Sequence, residues 1–595
     1  MGLYNKLPDS IQEVDVIIAG GKRHNGLRGC FTAGGSRPEP VDPDDRGRPE
    51  QCQCPNHYPP RLLPRPSCTW QHNQPISQDQ KVCRSGRPRA HIAFRRMVWR
   101  GYASLLEEGD VPSSPTSLKV LTSVKVETYH GKDEKGVHGH DGPIHVSRGT
   151  YHSKKVEDEF IASAAKVGWP EVEDAQDLES VDVVGRAYRY ISLDGRRQDA
   201  ATCYLHPLMN DGKHPNLHVL VESQVKRVLF DKSKAVGVEL RPNPAFGGSA
   251  SDTKAVKARR LVVVSCGACG TPSLLERSGV GSQPVLQAAG VPVVAEVPGV
   301  GNGYEDHHLV FYPYLNSLDA NDTLDDIVYG RMGPPEDLIK AQHPMLGWNG
   351  QEVQAKARPT DAEVAALGPE FKTVWDREFR DHAEKPTVIF SVIAGFPGDP
   401  SLSTGGPGLA VSAFTVYPFS RGHIHITGPQ LEDPVDFDTG FFADEGDLDI
   451  KKHRWAYKKQ REIMRRMPSY RGEMAACHPP FAPGSQAASI TLQDGPLPAD
   501  APDIEYSADD DAVLERWLRE NISTTWHSLG TCKMAPRDKE GVVDENLAVY
   551  GIEGLKIADL SIVPRNVAAN TNNTALVIGE KAADIIIKEL GLNSD

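Results

Sequence analysis

Residues 521–583 read NISTTWHSLGTCKMAPRDKEGVVDENLAVYGIEGLKIADLSIVPRNVAANTNNTALVIGEKAA. A histidine in Ser/Thr/Gly surroundings comes first. The short apolar strand Leu555–Ile557 follows, closed by Asp559. Amides then open a helix that runs from about Asn573 through Ala575, Ile578, Gly579 and Ala582. A helix start presents unpaired N–H groups and the positive end of its dipole, so Asp559, Asn570 and the first helical amides would share a rim suited to an electron-rich or anionic group. His527 is the candidate base, because its ordinary pKa lies near neutrality. A lone histidine is otherwise read as a core residue with a satisfied hydrogen bond. The strand, acid and amide in order behind it argue for function.

Outward from this stretch, Glu13–Gly21 (EVDVIIAGG) is a β-branched apolar run ending in two glycines, the pattern of a first Rossmann strand entering a phosphate-binding turn. Residues 216–240 alternate as two strands about a turn at Asp231–Lys234, a hairpin in which Val225 is equally well read as a core valine. Residues 260–281 (RLVVVSCGACGTPSLLERSGVG) read as a buried parallel strand, a glycine turn and a helix stopped at Gly279. Between 306 and 500 aromatic residues and proline become more frequent. Strands are expected at Thr387–Ala394 and His423–Thr427, and a helix over Asp444–Met467 whose basic run Lys451–Arg466 reads as a solvated face.

Residues 22–123 show no sustained helical or strand period and are rich in Pro, Arg, Gly and Cys. Three readings compete there. Cys52, Cys54, His57, Cys68, His72 and Cys83 could suggest a zinc module, but they include no CxxC pair and their spacing is irregular, so no metal is expected. A native disordered insert would interrupt the turn expected to bind a cofactor. The third reading is a translation out of frame.

A chain of 595 residues exceeds the roughly 250–300 at which single cores stop growing, so two interwoven domains are expected. The net charge of −14 argues against nucleic acid as a partner. No run approaches the ~18 apolar residues of a membrane helix, and no signal-type apolar region follows Met1. Disulfides are therefore not expected, although five of the ten cysteines fall between Cys30 and Cys83. The expectation is an intracellular protein, cytoplasmic or peroxisomal, although the final GLNSD lacks a Ser-Lys-Leu type address.

TTWHSLGTC at 524–532 and LKIADLSIVPRNVAANTNNTALVIGEKAAD at 555–584 resemble the glucose–methanol–choline (GMC) flavoprotein oxidoreductases. The likeness is closest to the alcohol (methanol) oxidase branch. It extends to residues 124–149 and 260–281, to PGVGNGYEDHH at 298–308, to YPFSRGHIHITGP at 417–429 and to WAYKKQREIMRRM at 455–467. Asn302-Gly303-Tyr304 departs mildly from the family, which more often has Asn-Leu or Asn-Phe after its glycines. The resemblance implies an α/β FAD-binding Rossmann-like domain interwoven with an antiparallel-sheet substrate domain. The expected division is 1–305 and 501–595 for the cofactor side and 306–500 for the substrate side. It implies FAD as cofactor, and a small, primary alcohol and O₂ as reactants giving aldehyde and H₂O₂. Neither nucleic acid nor membrane is implied as a partner, and homo-oligomerisation is left open. His527 would take the hydroxyl proton, beside Asn570, while hydride leaves for flavin N5. Gly20, Gly21, Val225 (through its backbone), Trp526, Asp559, Leu560 and Thr571 fall at cofactor-binding places. Trp526 is also a candidate pocket wall favouring small alcohols, with plain packing as the alternative.

The resemblance also sharpens the reading of 22–123. Moving the frame one base forward through Lys22–Cys30 permits Ser-Gly-Thr-Thr-Gly-Cys-Val-Val, a Gly-rich turn and helix start. The same shift through Arg46–Pro55 permits a strand-ending Glu where the family holds the adenosine ribose. Through Ala93–Gly101 it permits a Gly-rich loop like the one beside the flavin. Three motifs in order and in one frame favour an artefact of translation. As printed, this segment supplies almost none of the cofactor contacts, so a non-catalytic product remains open as an alternative. Open too are a dehydrogenase using another acceptor and a non-redox lyase on the same fold.

Overall fold

The parallel strands expected at the two ends of the chain meet in one sheet. In the computed structural model, which describes residues 2–20, 126–398, 406–490, 495, 497–498 and 501–592, the strand Glu13–Gly20 pairs with Lys254–Ser265, Ile17 opposite Val262 and Ala19 opposite Val264. Leu555–Ile557 pairs along the other edge of the same strand, Leu555 opposite Val262 and Ile557 opposite Val264. The central strand is flanked on both sides at its C-terminal half, which explains why Leu261–Val264 is buried without alternation. Its N-terminal half pairs antiparallel with Lys234–Pro242, which pairs in turn with Ser223–Asp231. The hairpin predicted over 216–240 is therefore present. Gly21 and residues 22–123, with their zinc and reading-frame interpretations, lie outside the described residues.

A second, antiparallel sheet runs in the order Tyr470–Glu473, His308–Asn316, Leu409–Thr415, Val388–Ile393, Gln351–Ala357 and Val183–Arg186, with Ser523–Thr524 added to His308–Asn316. This is the expected aromatic-rich substrate sheet, and it draws strands from 183–186 and 523–524 as well as from 306–500. Leu309 pairs with Phe414, which also pairs with Ile389, and Phe311 pairs with Ser412. One face of the sheet is covered by the helices Lys154–Lys166 and Leu448–Met464, whose apolar residues join a core that includes Phe160, Tyr312, Phe390, Trp455 and Tyr457.

The helix Leu448–Met464 corrects the expectation of a solvated basic face. Lys452, His453 and Arg461 are fully buried, and Arg465 and Arg466 nearly so. Lys452 Nζ donates to Asp449 Oδ1 at 2.9 Å, and Arg461 Nε donates to Glu473 Oε1 at 3.0 Å. The helix packs against the sheet, against Lys154–Lys166 and against Ala508–Asn521, so little of its circumference is left for water. Buried cations need such partners, because an unpaired charge in this setting is strongly unfavourable. Among the described residues no helix is long and apolar enough to cross a membrane.

Candidate functional site

Where the substrate sheet meets the 521–571 segment, a cleft of about 160 Å³ opens. Leu309, Phe311 and Phe414 supply its apolar wall, and Gln351, Ser391 and Ser412 its polar floor. Thr525, Trp526, His527 and Asn570 close the remaining side. The two residues expected to act together, His527 and Asn570, thus line one cavity although 43 positions separate them in the chain. His527 is buried, and Asn570 is exposed at the rim.

His527 reaches the cleft through a tightly held turn. The preceding Trp526 has φ of 58°, a left-handed conformation that strains a bulky residue. Its N–H donates to Thr524 Oγ1 at 2.8 Å. Asp306 holds this turn from behind. Asp306 Oδ1 accepts the His527 N–H at 3.0 Å, and Oδ2 accepts the Tyr304 hydroxyl at 3.2 Å and the Thr524 hydroxyl. Thr525 Oγ1 donates to the His307 carbonyl at 2.6 Å, and the Nδ1 atoms of His307 and His527 lie 2.9 Å apart. The ring of Phe414 meets that of His527 edge-on at 5.7 Å. After the histidine, Gly530 (φ 86°) turns the chain where a Cβ would sit 2.7 Å from the Gly303 carbonyl, and Gly530 N–H donates to the Leu560 carbonyl at 3.2 Å. Gly303 is itself at φ 73°, which gives its departure from the usual motif a backbone reason.

Burial raises the two carboxyls behind the turn. Asp306 is pushed up to about 6, against the pull of its donors Thr524, His527 and Tyr304. Glu305 is pushed up to about 7, although Arg421 sits 3.1 Å from Oε1 and the Asn566 N–H donates to Oε2 at 3.0 Å. Asn566 begins the loop that delivers Asn570, so these adjacent acids hold both sides of the pair. Glu305, Asp306 and His307 stand inside PGVGNGYEDHH, a motif whose pattern alone assigns them no role. The adjacency of an acid and two histidines was the available signal.

The remaining expected positions are spread out: Gly20, Asp559 and Leu560 lie at the C-terminal edge of the parallel sheet, Thr571 follows the cleft-lining Asn570, and Val225 lies on the hairpin level with the N-terminal end of the central strand. Gly20 (φ 124°) ends its strand where a Cβ would come 2.1 Å from the Ser265 carbonyl, so the close approach requires glycine. Val225 is half-buried on the hairpin, opposite Leu240. Asp559 Oδ2 accepts Gly267 N–H at 2.9 Å and Thr271 Oγ1–H at 2.6 Å, and Oδ1 accepts Ser561 N–H at 2.8 Å. Its carboxylate thereby ties the strand end to the start of the helix Gly267–Arg277. Leu560 is buried. The helix Asn572–Glu589 begins after Thr571, which makes no side-chain cap. Thr571 Oγ1 and Asn573 Oδ1 are buried there without a hydrogen-bond partner among the described residues. Orphaned polar atoms at a helix start, beside the open ends of parallel strands, fit a polar group supplied from outside the chain.

Two family models described as GMC oxidoreductase match residues 102–309 and 418–579. The alcohol oxidase of Pichia angusta is 33% identical over 98% of this chain and 96% of the relative. Alcohol oxidase 1 of Komagataella phaffii is 34% identical over 84% of this chain and 82% of its own. Among solved structures, a formate oxidase variant from Aspergillus oryzae RIB40, studied for FAD modification, superposes with a TM-score of 0.63 at 22% identity, covering 79% of this chain and 77% of that one.

Proposed function

The chain belongs to the GMC oxidoreductase family, and on that premise we propose that it oxidises a small primary alcohol to the aldehyde, with O₂ as acceptor and H₂O₂ as the product. It is an FAD-dependent oxidoreductase acting on CH–OH groups. The observation that carries the finer reading is that His527 and Asn570 line one cleft together with the apolar Leu309, Phe311 and Phe414.

An alcohol bound there would set its carbon chain against Leu309, Phe311 and Phe414 and its hydroxyl between His527 and Asn570. His527 would accept the hydroxyl proton and Asn570 would orient the oxygen, while Trp526, 53% exposed at the mouth, would limit the size of what enters. The bound flavin supplies the redox chemistry, as acceptor of the alcohol's hydride and donor of electrons to O₂. Gly20, Asp559 and Leu560 at the parallel-sheet edge, Thr571 at the helix start and the Val225 backbone on the hairpin would hold FAD, and the unpartnered Thr571 and Asn573 oxygens support the helix-start contact.

The test is His527→Ala in flavin-loaded protein. Stopped-flow reduction by methanol or ethanol should slow by the ~10²–10⁴ typical of a lost general base, with the flavin still bound. An unchanged rate would sink this role. Oxygen uptake matched by peroxide formation in air checks the acceptor.

A further inference from the structure

The reading of His527 as base leaves a second buried histidine without a role. His307 is fully buried, and its Nδ1 lies 2.9 Å from the Nδ1 of His527, with the rings perpendicular at 5.1 Å. Such a contact holds one shared proton: one imidazole donates and the other accepts. The two directions have opposite consequences. If His307 donates, His527 must carry its proton on Nε2 and can accept nothing there. If His527 donates, its Nε2 keeps a lone pair for the alcohol.

The surroundings select the second direction. Both rings are fixed, since Phe414 stacks on His307 at 5.4 Å and meets His527 edge-on. Both main chains are pinned, one by the Thr525 hydroxyl and the other by Asp306. Burial, and then the neighbouring His527, hold the His307 pKa far below its ordinary value, so this ring is neutral and carries a single N–H. Nε2 of His307 is buried outside normal hydrogen-bond geometry to any group among the described residues. Even so, the Val567 carbonyl is near enough to His307 to favour an N–H on it. With Nδ1 committed to His527, that N–H belongs on Nε2.

We propose that His307 is a positioning residue that accepts the Nδ1–H of His527 and so keeps Nε2 of His527 unprotonated for the substrate. The inference rests on the base role given to His527 above. It fixes a tautomer, as the orienting partner of a catalytic histidine does elsewhere.

The test compares wild type, His307→Asn, His307→Leu and His527→Ala as flavin-loaded proteins. Flavin reduction by ethanol is followed from pH 5 to 9, and histidine-selective ¹⁵N spectra report the tautomers. The titratable groups facing His307 are His527, His308 and Lys452, with Asp306 next to it in the chain, and all of them remain in both His307 variants. His307→Leu should slow limiting reduction by ~10²–10⁴ and move the acid limb of the pH profile, with KM for ethanol little changed. His307→Asn, which can present an acceptor oxygen, should recover most of the rate and the wild-type profile. In wild type, the resonances lost in His527→Ala should be those of an Nδ1–H tautomer, and His307 should be protonated on Nε2. Equal behaviour of the Asn and Leu variants, or a reversed tautomer pair, would overturn the proposal. If the Leu variant does not fold, the Asn variant and the wild-type spectrum decide. If His527→Ala reduces its flavin normally, the base reading fails, and the tautomer spectrum alone still decides whether His307 orients its neighbour.

Discussion

Glu305 and Asp306 are adjacent, buried, and both raised by that burial, to about 7 and about 6. A carboxyl whose pKa is higher folded than unfolded contributes stability that is complete below its unfolded pKa and is lost as pH rises through the folded value. For Glu305 that window runs from its ordinary value up to about 7. Glu305→Gln keeps an acceptor for the Asn566 N–H without the titration. Its stability relative to wild type should therefore improve by about 2–3 kcal/mol between pH 4 and pH 8. Urea unfolding at the two pH values checks this, and parallel curves would refute it. At the exposed end of the same loop, Asn570→Asp should slow flavin reduction more than Asn570→Ser. A carboxylate on the cleft rim would oppose the negative charge that develops on reduction, and equal stopped-flow rates would remove that argument. His527 and Asn570 were legible in the sequence because a strand, an acid and a helix start follow the histidine in order. Asp306 and His307 were not. Their role depends on a contact across 220 positions, and Asp-His-His carries no spacing that separates a clamp from an ordinary core.

At the scale of elements, apolar pattern located some strands closely, as with Val388–Ile393 inside the expected Thr387–Ala394, but singled out none of His308–Asn316, Gln351–Ala357 and Leu409–Thr415 in the same sheet. The helix Leu448–Met464 was placed correctly but its environment was not. Charge at helical spacing cannot reveal that three neighbours cover the helix. The Arg461–Glu473 pair shows what that burial entails: Tyr470 Oη and the Ile490 N–H also donate to Glu473, at 2.7 and 2.6 Å, and Arg461 donates to the Ala487 carbonyl at 2.8 Å. Burial alone would raise the Glu473 pKa, but the Arg461 charge and these donors outweigh it and hold the carboxyl below its ordinary value. Arg461→Ala leaves an uncompensated buried carboxylate, so it should destabilise the protein by about 3–5 kcal/mol near neutral pH. A depressed carboxyl contributes stability above its unfolded pKa and loses it as pH falls. The penalty of Arg461→Ala should therefore shrink in acid, and a penalty independent of pH would show that the pair is not the cause.

Across the whole molecule, a third, three-stranded sheet of Asn302–Tyr304, Gly422–Ile426 and Val435–Asp438 lies against the parallel-sheet side, and Glu276 makes two of the polar contacts that tie it there. Glu276 sits on the helix Gly267–Arg277 beside the parallel sheet, fully buried, and reaches over to the strand Gly422–Ile426. Oε1 is 2.7 Å from His425 Nδ1, and Oε2 accepts the Ile426 N–H at 2.8 Å. Glu276→Ala would orphan the Ile426 N–H, at about 1–3 kcal/mol for a buried group left unsatisfied, and would leave the His425 ring with Asn302 as its remaining partner. The loss falls between that helix and the three-stranded sheet, outside the tryptophan-bearing core. Trp169, Trp348, Trp375, Trp455 and Trp517 all belong to the substrate-side core, so tryptophan fluorescence reports largely on that half, whereas flavin release reports on the other. In the wild type both signals should change together in urea, as one cooperative unit requires. In Glu276→Ala the flavin should leave at a lower urea concentration than the tryptophans are exposed. Two transitions that shift downward but stay coincident would mean that the loss is felt by the whole molecule rather than confined to the cofactor side.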